Sequence, residues 1–127
     1  MADALQVELV SADRVVWSGE ATMVVARTTD GEMGVLKDHA PVLSVLVPSA
    51  VEIVTDDERL YAVIDGGFIS VANNRLSVLA EHAQMANEVD LEQARRDLEE
   101  AEANAETPQD AALLLAQARV TVGEKAR

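Results

Sequence analysis

Apolar and polar residues alternate along the first two thirds of the chain with a period of two. In the stretch LQVELV, Leu5, Val7 and Leu9 alternate with polar residues, which is typical of a strand with one buried face. Further runs of this character follow at intervals of roughly eight to twelve residues: ATMVVARTT, VLSVLV, AVEIVT, LYAVID, GFISVA and RLSVLA. Many short strands at regular spacing predict a mainly-β fold, an antiparallel sandwich or flattened barrel.

Short pairs of turn-forming residues separate these runs. Asp-Gly, Gly-Gly and Asn-Asn tolerate the positive φ angles that two-residue hairpin turns require. The sequence therefore predicts turns at six places: Ser18-Gly19, Asp30-Gly31, Pro48-Ser49, Asp56-Asp57, Gly66-Gly67 and Asn73-Asn74.

From about residue 88 the apolar residues recur with the period of a helix. Residues 89–106 contain no glycine or proline, and their apolar side chains fall on one stripe: Leu91, Ala94, Leu98, Ala101 and Ala105. Such spacing predicts an amphipathic helix. Asp90 suits the N-cap, and the side chain of Gln93 can bond back to it. The acidic face is predicted to carry ion pairs at i, i+4, namely Arg95–Glu99 and Arg96–Glu100.

The stretch ETPQD ends this helix and starts a second one. Thr107 is the predicted cap, Pro108 suits the first helical position, and Asp110 favours the positive helix end. The second apolar stripe is Ala111, Leu115, Ala118 and Val122, and Gly123 or the terminus ends it. Two helices joined by so short a loop run antiparallel. We therefore predict an antiparallel β-sandwich domain at 1–87 and a C-terminal α-helical hairpin domain at 88–127.

The composition narrows the possible functions. The chain of 127 residues carries a net charge of −13 and has no cysteine. Such a charge disfavours the binding of nucleic acid and direct contact with anionic lipid. The lack of thiols excludes disulfides and thiolate metal sites. With three aromatic residues in all, the core must be built from Val, Leu, Ile and Ala. No apolar run approaches the ~18 residues of a membrane helix, and the N-terminus carries no export signature.

No motif of catalysis is present. The chain lacks a phosphate loop, GEMG is not a dinucleotide fingerprint, and nothing resembles a nucleophile elbow. The two histidines, His39 and His82, lie far apart along the chain, without the spacing of metal ligands. We expect no catalytic residue and no metal site. An enzyme is the least favoured of the three function classes considered. Its only support is the adjacent pair Asp38 and His39.

The stretch GEMGVLKDHAPVLSVL at 31–46 is predicted to begin as a loop and end as a strand. Gly34 permits a bulge or a close approach, and Pro41 marks the edge of a strand because it lacks a backbone donor. The loop should project from one end of the sandwich. It offers a mixture of side chains suited to touching another surface: Glu32, Met33, Lys37 and His39.

Four segments together resemble the epsilon subunit of the F-type rotary ATP synthase, of the bacterial type. They are VELVSADRVVWSGEA, GEMGVLKDHAPVLSVL, DGGFISVANNRLSVLAEHA and VDLEQARRDLEEAE. The Gly-Glu-x-Gly and His-Ala-Pro elements of the second segment are the most specific. The four segments follow in the order of that family and span nearly the whole chain.

The resemblance implies a non-catalytic central-stalk subunit that couples rotation of the membrane ring to the catalytic head. The implied partners are the gamma subunit, the membrane c-ring and, through the C-terminal helices, the catalytic alpha and beta subunits. Glu32, Met33 and His39 would face the ring. The protein would lie at the cytoplasmic face of the cell membrane, held there by the complex without touching lipid.

In that family the helical hairpin lies folded on the sandwich or extends and restrains ATP hydrolysis. Some members bind ATP through an Ile/Leu-Asp-x-x-Arg-Ala motif, which Asp90 and Ala94 match here, whereas Gln93 stands in place of the arginine. The resemblance thus implies no cofactor beyond, at most, weakly bound ATP. The alternative function is a free-standing β-sandwich that binds a small ligand and dimerises through its hairpin.

Overall fold

The computed structural model describes residues 4–126, which form a β-sandwich followed by a helical hairpin. The strands are β1 (Leu5–Val10), β2 (Val15–Ala21), β3 (Met23–Thr28), β4 (Gly31–Leu36), β5 (Val42–Leu46), β6 (Ser49–Val54), β7 (Arg59–Ile64), β8 (Gly67–Ala72), β9 (Arg75–Leu79) and β10 (Ala83–Met85). A single 3₁₀ turn (Ala86–Glu88) leads to helices α1 (Leu91–Asn104) and α2 (Ala111–Lys125). The predicted fold class is confirmed.

The strands form one nearly closed sheet in the order β10-β7-β6-β3-β5-β8-β9-β1-β2, with β4 paired to β3. It folds into two layers. The first holds β10, β7, β6, β3 and β4, and the second holds β5, β8, β9, β1 and β2. They are joined where Thr28 of β3 pairs with Leu46 of β5. Every pairing is antiparallel except that of β1 with β9, which is parallel.

The core lies between the two layers. Its largest fully buried side chains are aliphatic and come from both of them: Leu5, Leu9, Ile53, Ile64, Ile69 and Leu76. Along β1 and β6 every second residue is buried, as the alternating pattern predicts. Trp17 packs against the rim of this core and is only partly buried. The aliphatic core expected from the composition is confirmed.

Five of the six predicted turn pairs lie at strand connections, but Ser18-Gly19 does not. These two residues lie within β2, opposite Glu8 and Val7 of β1. The β1–β2 turn comes earlier, where the N–H of Ser11 donates to the carbonyl of Arg14 at 2.9 Å. Gly19 is needed for space, because a Cβ at this position would lie 3.0 Å from the ring of Trp17.

The predicted loop at 31–36 is a strand, so that prediction is wrong. β4 pairs with β3 residue for residue, from Thr28 opposite Gly31 to Met23 opposite Leu36. Gly34 lies opposite Val25 in regular register, without a bulge. Two glycines weaken strand propensity, but the free edge of β3 supplies the hydrogen-bond ladder, which overrides the local preference.

The hairpin confirms one predicted cap and corrects another. The carboxylate of Asp90 caps α1 by accepting from the N–H of Gln93 at 3.1 Å. Helix α2 begins three residues later than predicted, because its N-cap is Asp110 and not Thr107. Gly123 does not end α2, which continues to Lys125.

Helix α2 lies between the sheet and α1, and packs on β6 and β7. A second apolar cluster forms at this junction, with Val63, Val89, Ala94, Ala118 and Val122 at its centre. The predicted i, i+4 ion pairs of α1 do not form. Arg95 pairs instead with Glu124 at 3.6 Å, because α2 lies within reach. Arg96 donates to the side chain of Gln93 within α1.

Candidate functional site

The most conspicuous surface feature is a row of exposed apolar side chains across the second layer. Cross-strand neighbours in register form this row: Val45, Phe68, Leu79, Val10 and Val15. Four of its members are between 49% and 56% exposed, and Val10 is partly buried. The residues beside them along each strand point into the core. We call this set the apolar row.

The surface beside the apolar row consists of three serines flanked by Leu43 and interrupted by Glu8. One step along the strands, the outward positions are Leu43, Ser70, Ser77, Glu8 and Ser18. Leu43 is 72% exposed and extends the apolar area along β5. Contiguous exposed apolar surface with a polar border marks protein-binding sites, so this face can hold a partner protein.

The three residues predicted to face one partner are not brought together. Glu32 is exposed near the start of β4, 3.7 Å from Arg27. Met33 packs against the core and is not a free surface residue. His39 lies beyond the other end of β4, which is ~13 Å from Glu32 at 3.3 Å per residue. A single loop therefore does not present all three.

Glu32 lies at the same end of the sandwich as the apolar row. The turns at 29–30, 47–48 and 65–66 and the connections at 11–14 and 80–82 all lie at this end, which we call the first end. The N–H of Thr29 donates to the carbonyl of Val45 at 3.2 Å, so the turn before Glu32 directly adjoins the row.

Asp38 and His39 do not form a catalytic pair. The Asp38 N–H donates to Oδ1 of Asn74 at 2.6 Å, and Nδ2 of Asn74 donates to the Asp38 carboxylate at 3.1 Å. The ring Nδ1 of His39 lies 2.6 Å from the carbonyl oxygen of Ala40. The two bonds between Asp38 and Asn74 tie the β4–β5 connection to the β8–β9 turn, and the His39 contact lies within that connection.

A cleft of about 400 Å³ opens where the sandwich meets the hairpin, and polar side chains line it. His82 is held by Asp65, whose Oδ2 lies 2.8 Å from the ring Nδ1, and this bond raises the pKa of His82. On the same wall, the hydroxyl of Ser11 donates to Asp13 at 2.7 Å and lowers the pKa of that carboxyl.

The two arginines of this cleft are already paired. Arg14 donates to Glu88 at 2.9 Å, and Arg119 donates to Asp97 at 2.9 Å. Hydrogen bonds from the Met85 N–H and from Arg14 lower the pKa of Glu88. Because each guanidinium has a carboxylate partner, the cleft offers no surplus positive charge to an anion.

The two candidate nucleotide residues are engaged in the hairpin. Asp90 caps α1, and the side chain of Ala94 is 0% exposed. Gln93 does not bond back to Asp90 as predicted. Its Nε2 donates to Asp97 at 2.8 Å.

Within residues 4–126, no group of three or more acidic or histidine side chains is placed to hold a metal ion. In the same part of the chain, the helices are too short or too polar to cross a membrane.

Sequence reasoning missed the apolar row. The row exists only when five strands lie in register, and β1 and β9 lie near opposite ends of the sandwich part of the sequence. A signal was present: the last residues of β5 and β9, Val45-Leu46 and Val78-Leu79, are apolar on both faces. Strands with one buried face should end with a polar outward residue.

Comparison with known proteins gives a consistent family. Residues 4–86 match the family model described as ATP synthase, Delta/Epsilon chain, beta-sandwich domain. The ATP synthase epsilon chain of Streptomyces avermitilis is 57% identical over 104 residues, covering 81% of this chain and 84% of the relative. That of Streptomyces coelicolor is 50% identical over 124 residues, covering 94% of this chain and 100% of the relative.

Solved structures agree with this fold. A chain in the cryo-EM structure of the Euglena gracilis mitochondrial ATP synthase, OSCP/F1/c-ring, superposes with a TM-score of 0.74 at 25% identity, covering 99% of this chain and 81% of that one. A chain of the Tetrahymena thermophila mitochondrial ATP synthase central stalk/c-ring structure gives a TM-score of 0.62 at 17% identity, covering 98% and 96%. The second likeness supports the fold alone.

Proposed function

Because the chain belongs to the ATP synthase delta/epsilon chain family, we propose that it is a non-catalytic central-stalk subunit of a proton-translocating F-type ATP synthase. It couples rotation of the membrane ring to the catalytic head. A coupling subunit needs a rigid body with surfaces that bind its neighbours, and it needs no reactive group. The sandwich has a continuous aliphatic core, which supports the first requirement.

The observation that carries this proposal is the apolar row. Phe68 and its neighbours in the row are half exposed on a surface that the hairpin leaves free, because α2 packs on β6 and β7 of the other layer. A gamma-type subunit is the occupant that fits, since the central stalk joins two proteins permanently and permanent interfaces are apolar. The same face explains how a chain of charge −13 associates with its complex through apolar contact instead of a cationic surface.

The first end of the sandwich is the proposed contact with the polar loops of the c-ring. Glu32 is exposed there beside the β3–β4 turn. The side chain of Met33 packs against the core beneath β4 and does not touch the ring. His39 lies at the opposite end of β4, so a ring that meets Glu32 along a flat surface would not reach it. We therefore assign the ring contact to Glu32 and its turn.

The hairpin is the proposed contact with the catalytic alpha and beta subunits and the element that restrains ATP hydrolysis. The protein acts at the cytoplasmic face of the membrane, held by its complex, and touches neither lipid nor nucleic acid. The alternative, dimerisation through the hairpin, is less well supported. The apolar faces of α2 are used within the chain, against the sheet and against α1.

Co-elution with a gamma-type subunit at micromolar concentration tests the proposal. We expect a stable one-to-one complex of the whole chain with gamma. Phe68→Glu places a charge within the apolar row, between Val45 and Leu79, and should weaken the complex at least about tenfold, as for an interface anchor. The matched control is Leu36→Glu, because Leu36 is 58% exposed on the outer face of the other layer.

Three outcomes would contradict it. The first is no complex with the unmodified chain. The second is an equal loss of binding in Phe68→Glu and Leu36→Glu, which would point to general destabilisation. The third is full binding by Phe68→Glu, which would move the gamma contact elsewhere. Circular dichroism of both variants checks that the sandwich is folded.

A further inference from the structure

Three polar side chains of α1 are hydrogen-bonded in series, and the last of them is bonded to α2. Nη2 of Arg96 donates to Oε1 of Gln93 at 2.8 Å. Nε2 of Gln93 donates to Oδ1 of Asp97 at 2.8 Å. Nη1 of Arg119, from α2, donates to Oδ2 of Asp97 at 2.9 Å. We call these four residues the polar chain, and its last link joins the two helices.

The last link is sheltered. The side chain of Arg119 is 22% exposed and that of Asp97 is 40% exposed. Both carboxylate oxygens of Asp97 are used, one by each neighbour. A charge-assisted hydrogen bond that is partly shielded from water is stronger than a surface ion pair. The link therefore holds α1 on α2 more firmly than the exposed pair of Arg95 and Glu124.

The backbone of α2 at Gly123 also lies close to side chains at and just before the start of α1. A Cβ on Gly123 would lie 3.0 Å from Val89 and 3.2 Å from Leu91. Helix α2 also contributes Ala118 and Val122 to the apolar cluster that includes Val63 of β7. The ammonium of Lys125 lies 5.1 Å from the ring centre of Tyr61, also on β7.

We infer that side chains alone hold the hairpin in place without a ligand, so that its position on the sheet does not depend on a bound nucleotide. The polar chain holds α1 on α2, and the apolar cluster together with Lys125 holds α2 on the sheet. The groups at the start of α1 that could meet a ligand are satisfied by one another. Asp90 is occupied by the Gln93 N–H, and Gln93 by Arg96 and Asp97. This inference deepens the proposed function and rests on it only for the role of the hairpin in regulation.

Hydrogen exchange of the isolated full-length chain, with and without millimolar ATP, tests the inference. We expect the same slow exchange of the α1 and α2 amides in both conditions. Arg119→Gln removes the link and should speed exchange in α1 about tenfold, as expected for the loss of a charge-assisted hydrogen bond. The strands should be unchanged. Arg119→Lys should restore part of the protection, and Glu99→Gln, an exposed carboxylate of the same helix, serves as the control.

A second measurement reports the position of the hairpin. The chain has one tryptophan and no cysteine, so energy transfer from Trp17 to a dye on Glu106→Cys is specific. We expect equal transfer with and without ATP. Transfer or protection that increases with ATP would overturn the inference, as would unchanged α1 exchange in Arg119→Gln. Gamma is absent from both measurements. The inference about the hairpin can therefore be wrong while the proposed function is right, and the proposed function can be wrong while the inference is right.

Discussion

At the level of single residues, His82 is held by one carboxylate at two points. Its backbone N–H donates to Oδ1 of Asp65 at 3.1 Å, and its ring lies against the other oxygen. The bond to Asp65 raises the pKa of His82, and the charges of Asp65, Glu81 and Asp13 act in the same direction. Of the groups facing this ring, Asp65 therefore has the largest effect.

We predict that Asp65→Asn lowers the pKa of His82, as measured by NMR titration of its ring protons. Glu81→Gln should lower it less, because that carboxylate acts only through its charge. Since folding raises the pKa, the pair stabilises the folded state below the unfolded value of about 6.5, and this contribution is lost as the pH rises through the folded pKa. An unchanged pKa in Asp65→Asn would contradict the assigned bond.

Gly123 is the residue on which the contact between α2 and the start of α1 depends. We predict that Gly123→Val lowers the free energy of unfolding by about 1–3 kcal/mol, the usual cost of overpacking. Gly123→Ala should change it little, since a gain in helix propensity of about 1 kcal/mol offsets the tighter contact. Urea unfolding followed by circular dichroism measures both.

Thr121→Val is the matched control for this prediction. It places the same side chain on the same helix at an exposed position. A loss of stability equal to that of Gly123→Val would attribute the effect to the propensity of valine and not to the contact with Val89 and Leu91.

At the level of elements, local signals succeed where the cause is local. Asn73 and Asn74 have φ angles of 52° and 61°, which asparagine tolerates, so the hairpin there follows from the two residues themselves. The cap at Asp90 is likewise decided within one helical turn. Such features can be predicted from a few neighbouring residues.

The predictions fail where the cause lies elsewhere in the chain. Ser18-Gly19 has the composition of a turn, but Gly19 is needed because the ring of Trp17 lies over it. Residues 31–36 lack strand propensity, but β3 offers them an edge. Arg95 has a partner one turn away in its own helix and pairs with α2 instead. The apolar row likewise needs the register of five strands.

At the level of the whole molecule, the sandwich and the hairpin meet over a small apolar cluster. Among the described residues, Val63 is the only strand residue of this cluster that is buried, at 3% exposure. The core between the layers is continuous without the helices. The division at 87–88 remains a prediction, and this arrangement allows a direct test of it.

We predict that a chain ending at residue 88 keeps a cooperatively folded sandwich. It should lose stability by about 1.5–3 kcal/mol, the value of one valine side chain left exposed, if Val63 is the main loss. Thermal unfolding followed by circular dichroism and by Trp17 fluorescence should give coincident transitions. A broad transition, or midpoints that differ between the two probes, would mean that the halves are not separable.

The parallel pairing of β1 with β9 affects how the protein can fold during synthesis. Gln6 lies opposite Arg75, so β1, the first strand to be made, cannot pair on both edges until almost the entire sandwich has left the ribosome. At 5–20 residues per second this takes roughly 4–16 s. Until then the edge of β1 stays open in a nascent chain with much β-structure, and such edges invite pairing with other chains. The order of strands therefore makes early protection by a chaperone valuable for this small protein.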